Sequence, residues 1–259
     1  MLPVANNRGG YCFNFCGMKR GVWIGVIFCI CFFPYGYSQD LDQYFSQVNS
    51  FLSSYVQNGR VDYESIADRF DEAKDIYEAQ CQLDLGNVSK EAKKAFFINA
   101  YNMIVIYQVA KYYEFNQQSP MDQSGFFDKI KHKVAGEMLT LNQLEIKKLL
   151  MTYKDARIHF VLACAAKSCP PLAEFAYVPG QLESQLEKRA RLAINDNDWL
   201  RLKNGERKVE ISKIFDWYKR DFTTSGTTLL EYINQYRETP IPNNYAVEFY
   251  EYDWSLNGG

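Results

Sequence analysis

The sequence predicts an α+β domain, and three observations predict it. One helical stretch, Ala95 to Ala110, carries no charge at all; amphipathic helices lie toward both ends; and two hairpin-like segments flank a short apolar run. Helices first and last, with no regular strand–helix alternation, argue against a parallel α/β sheet. The expected architecture is a single domain with a long central buried helix packed on a small antiparallel sheet and surrounded by helices. A content of 47% hydrophobic and 23% charged residues excludes a disordered tail, a collagen-like fibre and a multi-span membrane protein. A net charge of −2 gives no bulk basicity for holding nucleic acid.

The N-terminus reads as a targeting segment. Lys19 and Arg20 precede the apolar run Gly21–Phe33, followed by Pro34, Gly36 and the small residue Ser38. That is a basic region, an apolar region and a small-residue cleavage site, so residues 1–38 are expected to be a signal peptide. Met18 stands directly before the basic pair, which makes residues 1–17 a gene-model extension. The run falls short of the roughly 20 residues of a membrane span, and membrane contact is expected only if the segment stays uncleaved. Cleavage leaves residues 39–259, periplasmic or secreted, with a net charge of −5 and three of the seven cysteines: Cys81, Cys164 and Cys169. Three cysteines make no disulfide scaffold, so a core must hold the fold, and an oxidising compartment permits one bridge.

Along this chain, residues 41–57 place Leu41, Tyr44, Phe45, Val48, Phe51, Leu52 and Tyr55 at helical spacing, and Asn58-Gly59 ends the run. Residues 62–84 read as a second, more polar helix. Ser89 caps the strongest helix, 90–114, whose uncharged middle requires burial on most sides. Residues 115–125 form a polar loop. A hairpin is expected over 131–141 with Gly136-Glu137 at its turn, then a helix over 141–151. The run RIHFVLAC, 157–164, reads as a buried strand, and Lys167–Pro171 as a loop. An amphipathic helix covers 181–195. Residues 199–211 form a hairpin about Asn204-Gly205, with type I′ turn chemistry. Ser212 caps a helix bearing Phe215, Trp217 and Tyr218, and a last helix covers 228–236. The tail, 239–259, is Pro/Asn-punctuated and aromatic, and is expected to drape over the surface.

Candidate chemistry concentrates in three places. Asn99 and Asn102 lie one turn apart in the uncharged helix. Such amides either tie the helix to a loop or strand edge, or point into a cleft to orient a substrate or stabilise an oxyanion. His159 alternates with Ile158 and Phe160, as a satisfied core histidine or as a general acid–base. The other histidine, His132, sits among lysines and reads as a solvated strand residue. Cys164 and Cys169 lie in CAAKSCPP. They form a disulfide clip, or Cys169 caps a short helix over PPLAEF as a low-pKa nucleophile, or the thiol is buried and unpaired. On a strand, Cys164 and His159 point to opposite faces. No zinc-like ligand spacing, phosphate-cradling Gly-rich loop or GxSxG elbow occurs, so neither metal nor cofactor is expected.

The segments FFINAYN (96–102), VAGEMLTLNQLE (134–145), RIHFVLACAAKSCPPL (157–172) and ISKIFDWYKRDF (211–222) resemble the DUF547 family, over roughly residues 90–222. The resemblance implies that Asn99, Tyr101, Asn102, His159, Cys164, Ser168, Cys169 and Pro170 are the positions to test. One departure stands out: the family pattern has His after the Glu145 position, where this chain has Ile146, which implies a weakened or inactive member. Two functions are expected on this basis. One is a thiol hydrolase or acyl transferase of papain or transglutaminase type, with Cys169 as nucleophile, His159 as base, Asn99 or Asn102 as orienting amide, and Tyr101, Ser168 and Trp217 on the substrate. The other is a non-catalytic binding domain for a peptide, glycan or protein, with an aromatic cleft supplied by Trp199, Trp217, Tyr218 and the aromatic tail, and a Cys164–Cys169 disulfide.

Overall fold

The computed structural model describes residues 36–113 and 117–258. The expected signal peptide lies almost wholly outside the described residues. Helix α1 (Gly36–Tyr55) buries the stripe from Leu41 to Tyr55 that the periodicity marks. A tight hairpin, β1 (Val56–Gln57) and β2 (Arg60–Val61), turns at Asn58 and Gly59. Both turn residues have positive φ, as a type I′ turn requires. Gly59 is also needed for space, since a Cβ there would stand 2.4 Å from Pro171 Cβ.

The expected second helix is two helices. Helix α2 (Tyr63–Asp68), capped by Asp62, breaks at Arg69 (φ −118°, ψ 40°) and α3 (Phe70–Gln82) continues at a new angle. Helix α4 (Lys90–Tyr112) is the centre of the molecule. Ser89 caps it, accepting from the Ala92 amide, and Ala95–Ile106 is buried at nearly every position. Its chief neighbours are α3, α2, the π-helical segment 144–150 and α1, so the buried helix packs mainly against helices. The small sheets stand at the periphery.

Strands β3 (His132–Val134) and β4 (Glu137–Leu139) pair antiparallel. Their turn is Ala135-Gly136, one residue earlier than expected, with φ of 46° and 83°. His132 is buried on this hairpin rather than solvated: its Nε2 lies 2.6 Å from Gln108 Oε1 and its Nδ1 3.2 Å from the Tyr77 hydroxyl. Thr140 and Gln143 form a capping box at α5 (Leu141–Gln143). The chain then widens into a π-helix, Leu144–Leu150, before closing through α6 (Met151–Tyr153).

Residues 157–164 are not a strand. Asp155 accepts from the Arg157 amide and pairs with the Arg157 guanidinium, winding Ala156–Phe160 into a 3-10 helix. The face-by-parity argument that separated His159 from Cys164 therefore fails. The PPLAEF segment is likewise not helical, so Cys169 caps nothing. Helix α7 (Leu182–Asn195) follows as read. Strands β5 (Leu200–Lys203) and β6 (Lys208–Ile211) pair antiparallel through residues 204–207, with Arg207 at φ 54°. This longer loop replaces the expected two-residue turn. Short helices α8 (Ile214–Trp217), α9 (Lys219–Phe222) and α10 (Leu229–Asn234) complete a second core cluster around Phe160, Trp199, Phe215 and Phe222.

The C-terminal segment does not drape. Strand β7 (Ala246–Phe249) adds parallel to β6, and the chain beyond it runs from the second core cluster at Tyr252 to the first at Leu256. Asn257 is buried, and its side chain accepts from the Tyr63 hydroxyl at 3.0 Å. The molecule is a single-domain α+β fold.

Candidate functional site

The two helix amides are structural. Asn99 Nδ2 donates to Tyr177 O at 2.8 Å, and its Oδ1 accepts from the Tyr177 amide at 2.9 Å. Asn102 does the same one turn on, donating to Val161 O at 2.9 Å and accepting from the Ala163 amide at 2.9 Å. Each saturates one donor and one acceptor of an irregular segment that runs along α4. Buried backbone without a sheet partner must find such groups. Both amides are buried, and neither lines the pocket described below. Ser168 is also occupied: its Oγ accepts from the Asp253 amide at 2.8 Å and its carbonyl from Trp199 Nε1 at 3.1 Å.

Cys164 and Cys169 form a disulfide, so Cys169 carries no thiol in this form. It is also buried, at 3% exposure. The nucleophile reading of Cys169 is corrected on both counts, since attack needs a reachable thiolate. The bond holds the loop between the core clusters, with the Cys164 amide donating to Cys169 Sγ at 2.9 Å and the Tyr252 hydroxyl 3.2 Å from Cys164 Sγ.

His159, Tyr101 and Trp217 do converge. They line one pocket of about 290 Å³, together with Glu145, Cys164, Tyr218, Tyr252, Trp254 and Phe127. The 3-10 turn brings His159 and Cys164 to the same cavity. His159 Nε2 is 2.8 Å from Asp221 Oδ2, and the ring packs against Tyr218 and Phe222. Burial pushes the Glu145 carboxyl above the usual carboxylate range; hydrogen bonds from Tyr218 and Tyr101, and the neighbouring His159, offset this only in part. Burial and the Glu145 charge in turn push both phenols up. A buried carboxyl, an imidazole–carboxylate pair and two phenols make a network able to hold or move a proton. One wall is aromatic: Trp217 and Trp254 lie 24° from parallel with centroids 6.0 Å apart, and Tyr252 is 4.9 and 4.8 Å from them.

Sequence reasoning missed Glu145 and Asp221 as site residues, and it reached Tyr252 and Trp254 only collectively, as part of the aromatic tail. Glu145 is the second residue of the π-helix that begins at Leu144, and such turns recur at functional sites, but this cue belongs to the structure and not to the sequence. Ile146 is half exposed and outside the aromatic pocket, so the departure there does not alter the lining. Asp221 is 62 residues from His159, and no local pattern links them.

The class defined by fold and site is an α+β domain with an aromatic, acid-lined pocket. Residues 85–192 match the family described as "Protein of unknown function, DUF547", which supports membership of that family. The match contains both asparagines, Glu145, His159 and the disulfide, and ends before Trp217, Tyr218 and Asp221. No curated protein and no solved structure matches the chain.

Proposed function

We propose that the chain is an exported binding domain whose aromatic pocket takes one group of a peptide, glycan or protein partner. The observation that carries this is the Cys164–Cys169 bond: it leaves the pocket with acid–base and aromatic side chains and without a thiol nucleophile. The pocket is at the small end for whole ligands, which suits a single side chain or head group. Export is supported by the disulfide, which persists in oxidising compartments, and by the basic and apolar N-terminal run. The test is NMR of the exported protein with benzyl alcohol, N-acetylglucosamine and choline as separate probes. At least one should shift the indole N–H signals of Trp217 and Trp254 and spare buried Trp199. Unmoved pocket indoles with all three probes overturn the reading.

A thiol hydrolase or acyl transferase is the second reading, favoured by one observation: Cys164, not Cys169, lines the pocket with His159. An external dithiol that reduces the bridge would free a Cys164 thiol beside the His159–Asp221 pair. This reading requires p-nitrophenyl acetate turnover that appears only after reduction, survives Cys169→Ala and disappears in Cys164→Ala. Turnover indifferent to reductant removes it.

A further inference from the structure

Resting on the pocket reading above, we propose that the group bound is a cation, an organic ammonium such as an alkylated amine or a quaternary ammonium head. Two features of the cavity select that chemistry. First, Trp217, Trp254 and Tyr252 form one continuous aromatic wall, and Trp217 is 48% exposed. Ring faces carry negative potential and attract a cation, most strongly on indole. Second, the one carboxyl in the lining is Glu145, with Asp221 outside the lining and paired to His159, and no lysine or arginine among the described residues lines the pocket. Glu145 takes hydrogen bonds from the Tyr218 and Tyr101 phenols, and the neighbouring His159 is itself paired with Asp221.

That combination discriminates. An anion would meet the Glu145 carboxyl and the negative faces of three rings. A neutral sugar could stack on the wall, and would leave the buried carboxylate without a counter-charge. An ammonium satisfies both surfaces at once: its alkyl shell packs on the rings, and its charge pairs with Glu145 across the cavity. The volume of about 290 Å³ admits such a head group while excluding a whole peptide.

The test is calorimetric titration of the disulfide-bonded protein with choline and with its neutral carbon isostere, 3,3-dimethylbutan-1-ol. Choline should bind at least about tenfold tighter, and Glu145→Gln should bring the two to parity. Trp217→Ala is the second variant, at a half-exposed ring whose removal the core tolerates, and it should weaken choline more than the isostere. Equal affinities in the wild type overturn the cation while leaving a ligand pocket in place. Binding of neither overturns the cation as well, and the pocket reading then rests on whether benzyl alcohol or N-acetylglucosamine moves the indoles.

Discussion

Asn99 and Asn102 act as substitutes for a strand. Each offers a carbonyl and an NH₂ to a backbone segment that has no sheet neighbour, and each leaves two buried backbone groups stranded if removed. An unpaired buried polar group costs about 1–3 kcal/mol, so Asn102→Ala should lower unfolding free energy by on the order of 3 kcal/mol in urea titrations. Its effect on pocket binding should follow the folded fraction alone; loss of binding at unchanged stability would restore the cleft-amide role. His132 makes a different residue-scale prediction. Burial, with Lys111 nearby, lowers its pKa from 6.5 to about 4. Its contacts, Nε2 to the Gln108 carbonyl and Nδ1 to the Tyr77 hydroxyl, suit a neutral ring. Between pH 6.5 and 4 the unfolded chain binds the proton and the folded chain does not. The stabilisation is therefore complete above pH 6.5 and is lost as pH falls toward 4, by about 3 kcal/mol over the window. His132→Asn should flatten that part of the stability profile, and an unchanged slope in the variant would assign the acid lability to other groups.

At the scale of elements, the disulfide is a clip on a short irregular loop, because PPLAEF supplies no helix and 157–164 no strand. Closing a loop of this size stabilises by about 2 kcal/mol on the chain-entropy account. The double variant Cys164→Ser/Cys169→Ser should lower stability by that amount. Before reduction, iodoacetamide should leave Cys164 and Cys169 of the folded protein unmodified by intact mass; alkylation of either would contradict the bond. Periodicity made α1, α4 and α7 legible because each buries a stripe or a whole surface at 3.6-residue spacing, and Ser89 and Gly59 announced their cap and turn. The 3-10 turn at Ala156–Phe160 was illegible for a physical reason. Its composition is that of a buried strand, and what winds it is the ion pair of Arg157 with Asp155, itself held at 2.6 Å by Lys94 from α4. That override is tertiary. It moved Cys164 onto the side of His159 and so changed the site as well as the fold. The histidine, Tyr101 and Trp217 were found from residue type; Asp221 was not, because only packing brings α9 to the 3-10 turn.

At the scale of the whole molecule, the C-terminal segment joins the two core clusters and supplies two of the three rings of the aromatic wall, Tyr252 and Trp254. Backbone bonds tie it across the fold: Val61 N–H to Asn257 O at 3.2 Å, Lys167 N–H to Ser255 O at 2.8 Å, Leu256 N–H to Gln118 O at 2.8 Å and Asn257 N–H to Ala165 O at 2.9 Å, besides the β6–β7 ladder. A net contribution of about 1 kcal/mol for each such bond already approaches the roughly 5–15 kcal/mol that separates folded from unfolded domains. Burial of Tyr252 in the second cluster adds to it. A chain ending at Tyr245 should therefore lack a cooperative thermal transition by circular dichroism. Trp254→Ala separates this scaffold role from the role in the pocket. Trp254 is only partly buried, and its backbone ties remain, so the variant should melt cooperatively like the wild type while losing most of its affinity for any pocket ligand. A truncated chain that melts normally would make the segment an appendage, and full binding by Trp254→Ala would remove it from the wall. The expected pair of outcomes, no fold without the segment and no binding without its indole, makes the same segment both part of the scaffold and part of the pocket wall.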